Sequence, residues 1–347
     1  MARLDVRVGK TVLKNPLIAG SAEHLIDADG VRRALRAGVG AVVVKSINET
    51  ERGRDQLQRA EYMLFDDEWR EMPWSADAPA TAFMATRSGL TPQTFEAWLE
   101  QTLQLDREAK AMDAYAIASV IVADLATAIG MAKQVEQAGV RMLELNIGTP
   151  YASQARGVVS TELEPERVTA IVSAVRKEIR IPLWVKITGQ SERVPDLAAA
   201  AFGAGAEAVV MAGRLLGFIP DVETLQPFLG TTLGVGGTWN LPLTCHWLAV
   251  SRQKVGPDRA IIGINGARTG LDVARMMLAG ASAVELASQV MLRGTPVLTS
   301  ALAEFEAYLQ RKGLNAAEIV GVAADQRKAF PDMPLRTDNW RNYISEL

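Results

Sequence analysis

Two lysines close apolar runs in this chain. Lys186 ends Pro182-Leu-Trp-Val-Lys186, and Lys45 ends Gly40-Ala-Val-Val-Val-Lys45. A charge inside such a run is costly unless it is paired. A lysine can also end a strand merely because its ammonium reaches solvent. Beside an electron-accepting ring, it would stabilise the reduced, anionic form of that ring. Leu143-Glu-Leu-Asn-Ile-Gly-Thr-Pro-Tyr151 runs from an apolar strand into a polar turn. The Asn146 amide at that strand end can hydrogen-bond the edge of a planar ring. Later in the chain come Gly234-Val-Gly-Gly237, Gly263-Ile-Asn265-Gly266 and Leu286-Ala287-Ser288. Their glycines are either plain turn residues or openings through which backbone N–H groups approach a phosphate. With Ser288 beside them they favour phosphate, so a phosphorylated cofactor or substrate is expected.

These groups can meet only if the elements that carry them converge. The pattern predicts strands over 15–21, 41–46, 115–122, 140–147, 182–188, 206–212, 260–265 and 281–287. Helices are predicted over 27–37, 126–138, 165–178, 193–204, 240–253, 269–279 and 297–311, so helical material follows each strand. Near-continuous Val/Ile/Leu/Ala strands fit a parallel sheet covered on its outer face. The expected fold is α/β: one (β/α)₈ TIM barrel over 1–347, with polar strand ends gathered on one rim. Leu4 to Val12 reads as an N-terminal β-hairpin capping the barrel floor. Residues 47–113 break the rhythm after strand 2 with Pro73, Pro79 and a helical stretch over 92–112. That segment is too long for a passive connection, so a lid or an interface is expected. An open doubly wound sheet is the competing architecture. It is disfavoured because no Gly-x-Gly-x-x-Gly opens the first helix.

Composition excludes several classes of function. The chain has 347 residues, 48% hydrophobic and 22% charged, with a formal net charge of −3. It has no long basic run, which argues against nucleic acid as a partner. Cys245 is the only cysteine, and His24 and His246 the only histidines, so no metal centre is expected. The longest apolar stretch, Ala114 to Ala132, carries Asp124 and many alanines and reads as a buried strand and helix. A membrane span would need about 20 strongly apolar residues. The start lacks the apolar core of a signal peptide, so a soluble, cytoplasmic protein is expected.

The motifs taken in order resemble one family. Asn15-Pro-Leu-Ile-Ala-Gly-Ser21, Gly38-Val-Gly-Ala-Val-Val-Val-Lys-Ser46, Glu144-Leu-Asn-Ile-Gly-Thr-Pro150, Trp184-Val-Lys186, Gly203-Ala-Gly-Ala-Glu-Ala208, Ile261-Ile-Gly-Ile-Asn-Gly266 and Ala279-Gly-Ala-Ser-Ala-Val284 span roughly residues 12–310. The chain resembles dihydroorotate dehydrogenases and the FMN-binding domain of dihydropyrimidine dehydrogenases. The resemblance implies FMN across the barrel mouth. Ala19, Gly20 and Ser21 would line the isoalloxazine, and Lys45 and Ser46 its polar edge. Asn146 and Lys186 would flank the ring system. Gly236, Gly237, Asn265, Gly266, Ala287 and Ser288 would hold the phosphate.

On the substrate side the chain departs from the family. The family pattern Asn-x-Ser-Cys-Pro-Asn, whose Cys or Ser takes the substrate proton, appears here as Asn146-Ile-Gly-Thr149-Pro-Tyr151. Thr149 and Tyr151 are therefore the proton-transfer candidates, with Lys186 beside them. Two further asparagines that read the pyrimidine in the family have no counterpart in Thr86-Arg-Ser-Gly-Leu90 or Val209-Val-Met-Ala-Gly-Arg214. New groups, Arg87, Arg156 and Arg214, fall in rim loops, where arginine forks suit carboxylates. His24 follows the first strand closely and is a further candidate for substrate contact or for helping the proton transfer. The expected activity is FMN-dependent hydride transfer to or from a small, carboxylated substrate, with an electron acceptor not named by the sequence and a homodimeric assembly. Dihydroorotate oxidation by an altered binding mode is the first alternative. A flavin- or phosphate-binding barrel without turnover is the second.

Overall fold

Apolar strands of three to seven residues recur along the chain, buried almost throughout, in a computed structural model that describes residues 2–48, 50–148, 163–211, 213 and 215–345 (of 51–52 the backbone alone). They are β1 (Leu17–Ala19), β2 (Ala41–Val43), β3 (Tyr115–Ile121), β4 (Leu143–Asn146), β5 (Leu183–Lys186), β6 (Ala208–Met211), β7 (Ala260–Ile264) and β8 (Ala281–Leu286). Each pairs in parallel with the next, and β8 returns to β1 with Val284 opposite Leu17, closing an eight-stranded barrel. The helices that follow them are α1 (Ala28–Arg36), α2 (Phe95–Ala111), α3 (Leu125–Ala138), α4 (Pro165–Glu178), α5 (Val194–Gly203), α6 (Leu241–Val255), α7 (Gly270–Leu278) and α8 (Pro296–Lys312). The expected (β/α)₈ barrel is therefore the fold.

Local chemistry starts these helices where they are. Asp27, Thr94 and Asp124 each accept a hydrogen bond from a backbone N–H in the first turn of α1, α2 and α3. Thr269 and Asp272 form a reciprocal capping box on α7. Prolines in the first turns of α4, α5, α6 and α8 use positions where a missing N–H costs nothing. The N-terminal hairpin, Val6–Val8 with Thr11–Leu13, lies across the floor. A Cβ at its turn residue Gly9 would sit 2.8 Å from the Glu207 carbonyl oxygen, just before β6 begins.

A second sheet was not foreseen. It is antiparallel, and its strands run in the order 215–217, 233–237, 83–87, 61–65 and 71–72. Three of its strands come from 47–113 and two from the β6–α6 connection. Phe65 stacks on Phe83 with centroids 5.2 Å apart, and Leu229 and Leu233 complete a small core of its own. Gly234-Val-Gly-Gly237, expected from sequence as a glycine-rich loop open to a phosphate, is a strand of this sheet. A Cβ on Gly237 would lie 2.8 Å from the Trp239 ring and 3.0 Å from Phe83 Cβ, so a side chain there would have to displace one of them.

Asp106 on α2 ties the wall together. Its carboxylate accepts from Ala116 N at 3.1 Å, Arg141 N at 3.0 Å and Arg141 Nη2 at 2.7 Å, joining α2 to β3 and to the start of β4. Removing one partner of a buried ion pair costs about 3–5 kcal/mol. Asp106→Ala should lose about 3 kcal/mol of that order, read as a lower urea midpoint. An unchanged midpoint would show that the clip adds nothing to stability.

Candidate active site

One cavity, partly open to solvent, lies between the barrel rim and the antiparallel sheet. The rim supplies Ser21, Lys45, Ser46, Asn146 and Lys186 from the ends of β1, β2, β4 and β5. Asn265 and Gly266 after β7, with Ala287 and Ser288 after β8, line it at another side. The sheet roofs it with Tyr62, Met84, Thr86 and Gly236, so the second sheet is a cap. Of the expected cofactor residues, Ala19, Gly20 and Gly237 are not part of this wall. Gly20 instead packs over a buried carboxylate: a Cβ there would stand 3.1 Å from Glu285 Oε2.

The floor is an ion cluster inside the barrel. Strand alternation turns Glu144 and Asn146 of β4 to one face of the barrel wall and Leu143 and Leu145 to the other. Lys186 Nζ lies 3.0 Å from Glu144 and 2.8 Å from Glu285 of β8. Both carboxylate side chains are fully buried. A chain of hydroxyls leads from the rim to this cluster. Ser21 Oγ is 3.0 Å from Ser46 Oγ, Ser46 Oγ is 2.8 Å from Ser119 Oγ, and Ser119 donates to Glu144 at 3.0 Å.

Two buried carboxylates face one ammonium, so the cluster stays neutral only if it retains a proton. Burial first, with repulsion from Glu144 added, outweighs the attraction of Lys186 and pushes Glu285 up to about 8. Burial works against charge on Lys186, but Glu144 and Glu285 outweigh it and hold its pKa above the ordinary lysine value. Lys186 is thus a fixed cation at the cavity floor.

A second pair sits at the cap edge. Lys45 Nζ donates to Glu23 Oε1 at 3.0 Å, and the Gly89 backbone N–H reaches the same oxygen at 3.2 Å. Burial resists charge on Glu23, but Lys45 and the Tyr62 phenol outweigh it and hold the carboxyl below its usual range. Trp98 fixes the other side of this corner by donating to the Lys45 carbonyl at 2.9 Å.

Two expected substrate contacts lie elsewhere. Arg87 shares the outer face of its strand with Phe83 and Ala85, while Thr86 takes the cavity face. Its guanidinium donates to the Arg59 carbonyl, the Leu229 carbonyl and Glu61, and so staples the cap strands to the β6–α6 connection. His24 is not in the cavity wall; its neighbour Glu23 is. Burial pushes the His24 imidazole down to about 4, and neither ring nitrogen has a hydrogen-bond partner among the described residues. Thr149, Tyr151, Arg156 and Arg214 lie outside the described residues. Among the described residues, no cluster of three or more His, Cys, Asp or Glu is arranged to hold a metal ion. No helix there is long and apolar enough to cross a membrane.

Sequence reading missed Glu23, Tyr62, Ser119, Glu144 and Glu285. The rule that singled out Lys186, a charge inside an apolar strand, applies equally to Glu144 in Leu143-Glu-Leu145 and to Glu285 in Val284-Glu-Leu286. It would have found the two partners. Nothing local marks Glu23 or Tyr62, which reach the cavity through a short turn and a cap strand.

A family model described as dihydroorotate dehydrogenase matches residues 67–309. The catalytic subunit of dihydroorotate dehydrogenase B (NAD(+)) from Methanothermobacter thermautotrophicus is 27% identical over 93% of this chain and 99% of its own length. The same subunit from Pyrococcus furiosus is 28% identical over 89% of this chain and 95% of its own. A putative dihydroorotate dehydrogenase A (fumarate) from Aeropyrum pernix is 33% identical over 56% of this chain and 63% of its own.

The proton held by the floor cluster has a measurable consequence. An unfolded Glu285 would titrate near 4.5, whereas the folded site keeps its proton until about 8. The folded state therefore binds more protons across that interval, and its stability falls as pH rises through it. Glu285→Gln should flatten that fall, seen by comparing urea midpoints at about pH 5 and about pH 8. If variant and parent lose stability in parallel, the cluster does not retain the proton.

Proposed function

The chain belongs to the dihydroorotate dehydrogenase family and is an oxidoreductase, and from that premise we propose that its cofactor is FMN and its substrate a small organic molecule held between the barrel rim and the cap. The observation that carries this reading is the cluster of Lys186, Glu144 and Glu285 beneath the cavity, joined at the rim by Asn146. Bound FMN would supply the acceptor for a hydride. The residues present suit it. Lys186 offers a permanent positive charge toward a ring that gains electrons. Asn146 offers an amide to a planar polar edge. Gly236, Gly266 and Ser288 offer backbone and hydroxyl groups of the kind a phosphate needs. The cap limits water access to the cavity. Thr149 and Tyr151 remain the candidates for moving the substrate proton, by their place after β4. Arg156 and Arg214 remain candidates for substrate contact.

Oxidation of dihydroorotate itself is a second reading, supported by the family match and by the names of the relatives. Those names also describe catalytic subunits. We infer a separate electron-transfer partner for this chain, which its single cysteine supports, since one thiol cannot ligate an iron–sulfur cluster.

Purified protein should carry stoichiometric FMN, read from its visible absorbance. A charge-assisted hydrogen bond is worth about 1.5–3 kcal/mol, so Lys186→Ala should weaken FMN binding or slow flavin reduction by about tenfold to a hundredfold. A colourless protein that ignores added FMN defeats the cofactor proposal.

Dihydroorotate should reduce the flavin slowly or not at all. Thr86 lines the cavity in the segment where the family carries a pyrimidine-reading amide. Each unpaired polar group left on the ring would cost about 1–3 kcal/mol. Anaerobic mixing decides it: rapid bleaching of the flavin by dihydroorotate establishes the second reading instead.

A further inference from the structure

Glu23 stands in the short turn after β1 and reaches back under the cap. Its Oε1 accepts from Lys45 Nζ at 3.0 Å and from the Gly89 N–H at 3.2 Å. An ammonium and a backbone N–H converging on one point form a donor set for a carboxylate. In this chain that corner is already taken by an internal carboxylate. The Lys45 and Glu23 side chains are only 6% and 16% exposed, so solvent does little to screen the pair or to displace it. Tyr62 adds its phenol to the same carboxylate from the cap.

The pairing removes charge that an anionic substrate would need. Lys45 is matched by Glu23, and Lys186 by Glu144 and Glu285. Arg87 spends its guanidinium on the outer face of the cap. A carboxylate entering this corner would meet Glu23, an ionised group of the same sign. Rejection by a resident like charge discriminates among ligands as effectively as attraction does. What the corner offers instead is an acceptor: a carboxylate backed by a phenol.

We propose that Glu23 is a specificity-determining residue that fills the anion-accepting corner formed by Lys45 and Gly89, so that the substrate presents there an uncharged, hydrogen-bond-donating group. The proposal rests on the reading of this cavity as the substrate site of an oxidoreductase. It narrows the substrate class to molecules without a carboxylate at that end.

Glu23→Ala vacates a volume of about one acetate beside Lys45 and the Gly89 N–H. The test compares melting temperatures of parent and variant with acetate, and with acetamide as the uncharged control, at constant ionic strength. The expected result is that acetate raises the melting temperature of the variant by several degrees, that acetamide does not, and that the parent responds to neither. A parent stabilised by acetate as much as the variant overturns the proposal, because the corner would then be open already. A variant indifferent to acetate overturns it too, because Lys45 and Gly89 would then not form an anion site. If Glu23→Ala does not fold, Glu23→Ser vacates nearly the same volume and keeps a small polar side chain. It should show the same response to acetate, and its indifference counts against the proposal equally. FMN content, measured separately, distinguishes the two readings. A protein that takes up no FMN yet shows this acetate pattern fails as a flavoenzyme and keeps Glu23 only as the occupant of the Lys45–Gly89 anion corner.

Discussion

Lys186, Glu144 and Glu285 meet inside the barrel at the cavity floor, almost fully removed from the solvent that would otherwise carry their charges. Three strands, β4, β5 and β8, must be in register for those side chains to touch. Breaking one contact would leave an ion buried without its partner, a cost of several kcal/mol. The cluster therefore constrains the barrel as much as the barrel positions the cluster. It also explains why a lysine is tolerated at the end of an apolar strand. The two carboxylates outweigh the burial that would discharge it.

The rest of the site hangs from this floor. Ser119, Ser46 and Ser21 carry hydrogen bonding outward from Glu144 to the rim. At the rim a second, smaller pair repeats the arrangement with Lys45 and Glu23. Both cations of the described cavity wall are therefore matched within the chain. A cavity built this way has polar groups set in a largely apolar wall and no unmatched cation on its described surface, which suits a ring with a polar edge. The cap side contributes to the outer pair through Tyr62 and the Gly89 N–H, which reach Glu23. The cap consists of two segments far apart in sequence, joined through Arg87 and the pairing of Gly234 with Thr86.

Membership of the dihydroorotate dehydrogenase family accounts for the barrel and for the motifs at its strand ends. It does not account for Glu23, which draws Lys45 away from any incoming ligand. The departures proposed from the motifs fall on the substrate side, with Asn265 a modest one among the positions proposed for the cofactor. One fold serves different chemistry when the site residues grafted on it change.

The barrel was legible from the sequence because its signals are local. Apolar runs, capping residues and glycines at helix ends each depend on neighbours a few positions away, and all eight barrel strands coincide with predicted ones. The strand-end residues Lys45, Asn146, Lys186, Gly266 and Ser288 were legible for the same reason, since a parallel barrel brings every strand end to one rim. The cap was not. Its strand 233–237 carries glycine in the interior and pairs with 83–87 across more than a hundred residues, Gly234 opposite Thr86, so no local pattern marks it. Direction was not legible either. Arg87 lies in a rim segment, but strand parity turns it outward and gives the cavity to Thr86. Which charges pair was decided only by the closed barrel. Glu144, Lys186 and Glu285 are separated by 42 and 99 residues, and only burial in one interior, where an unmatched ion cannot persist, makes them partners.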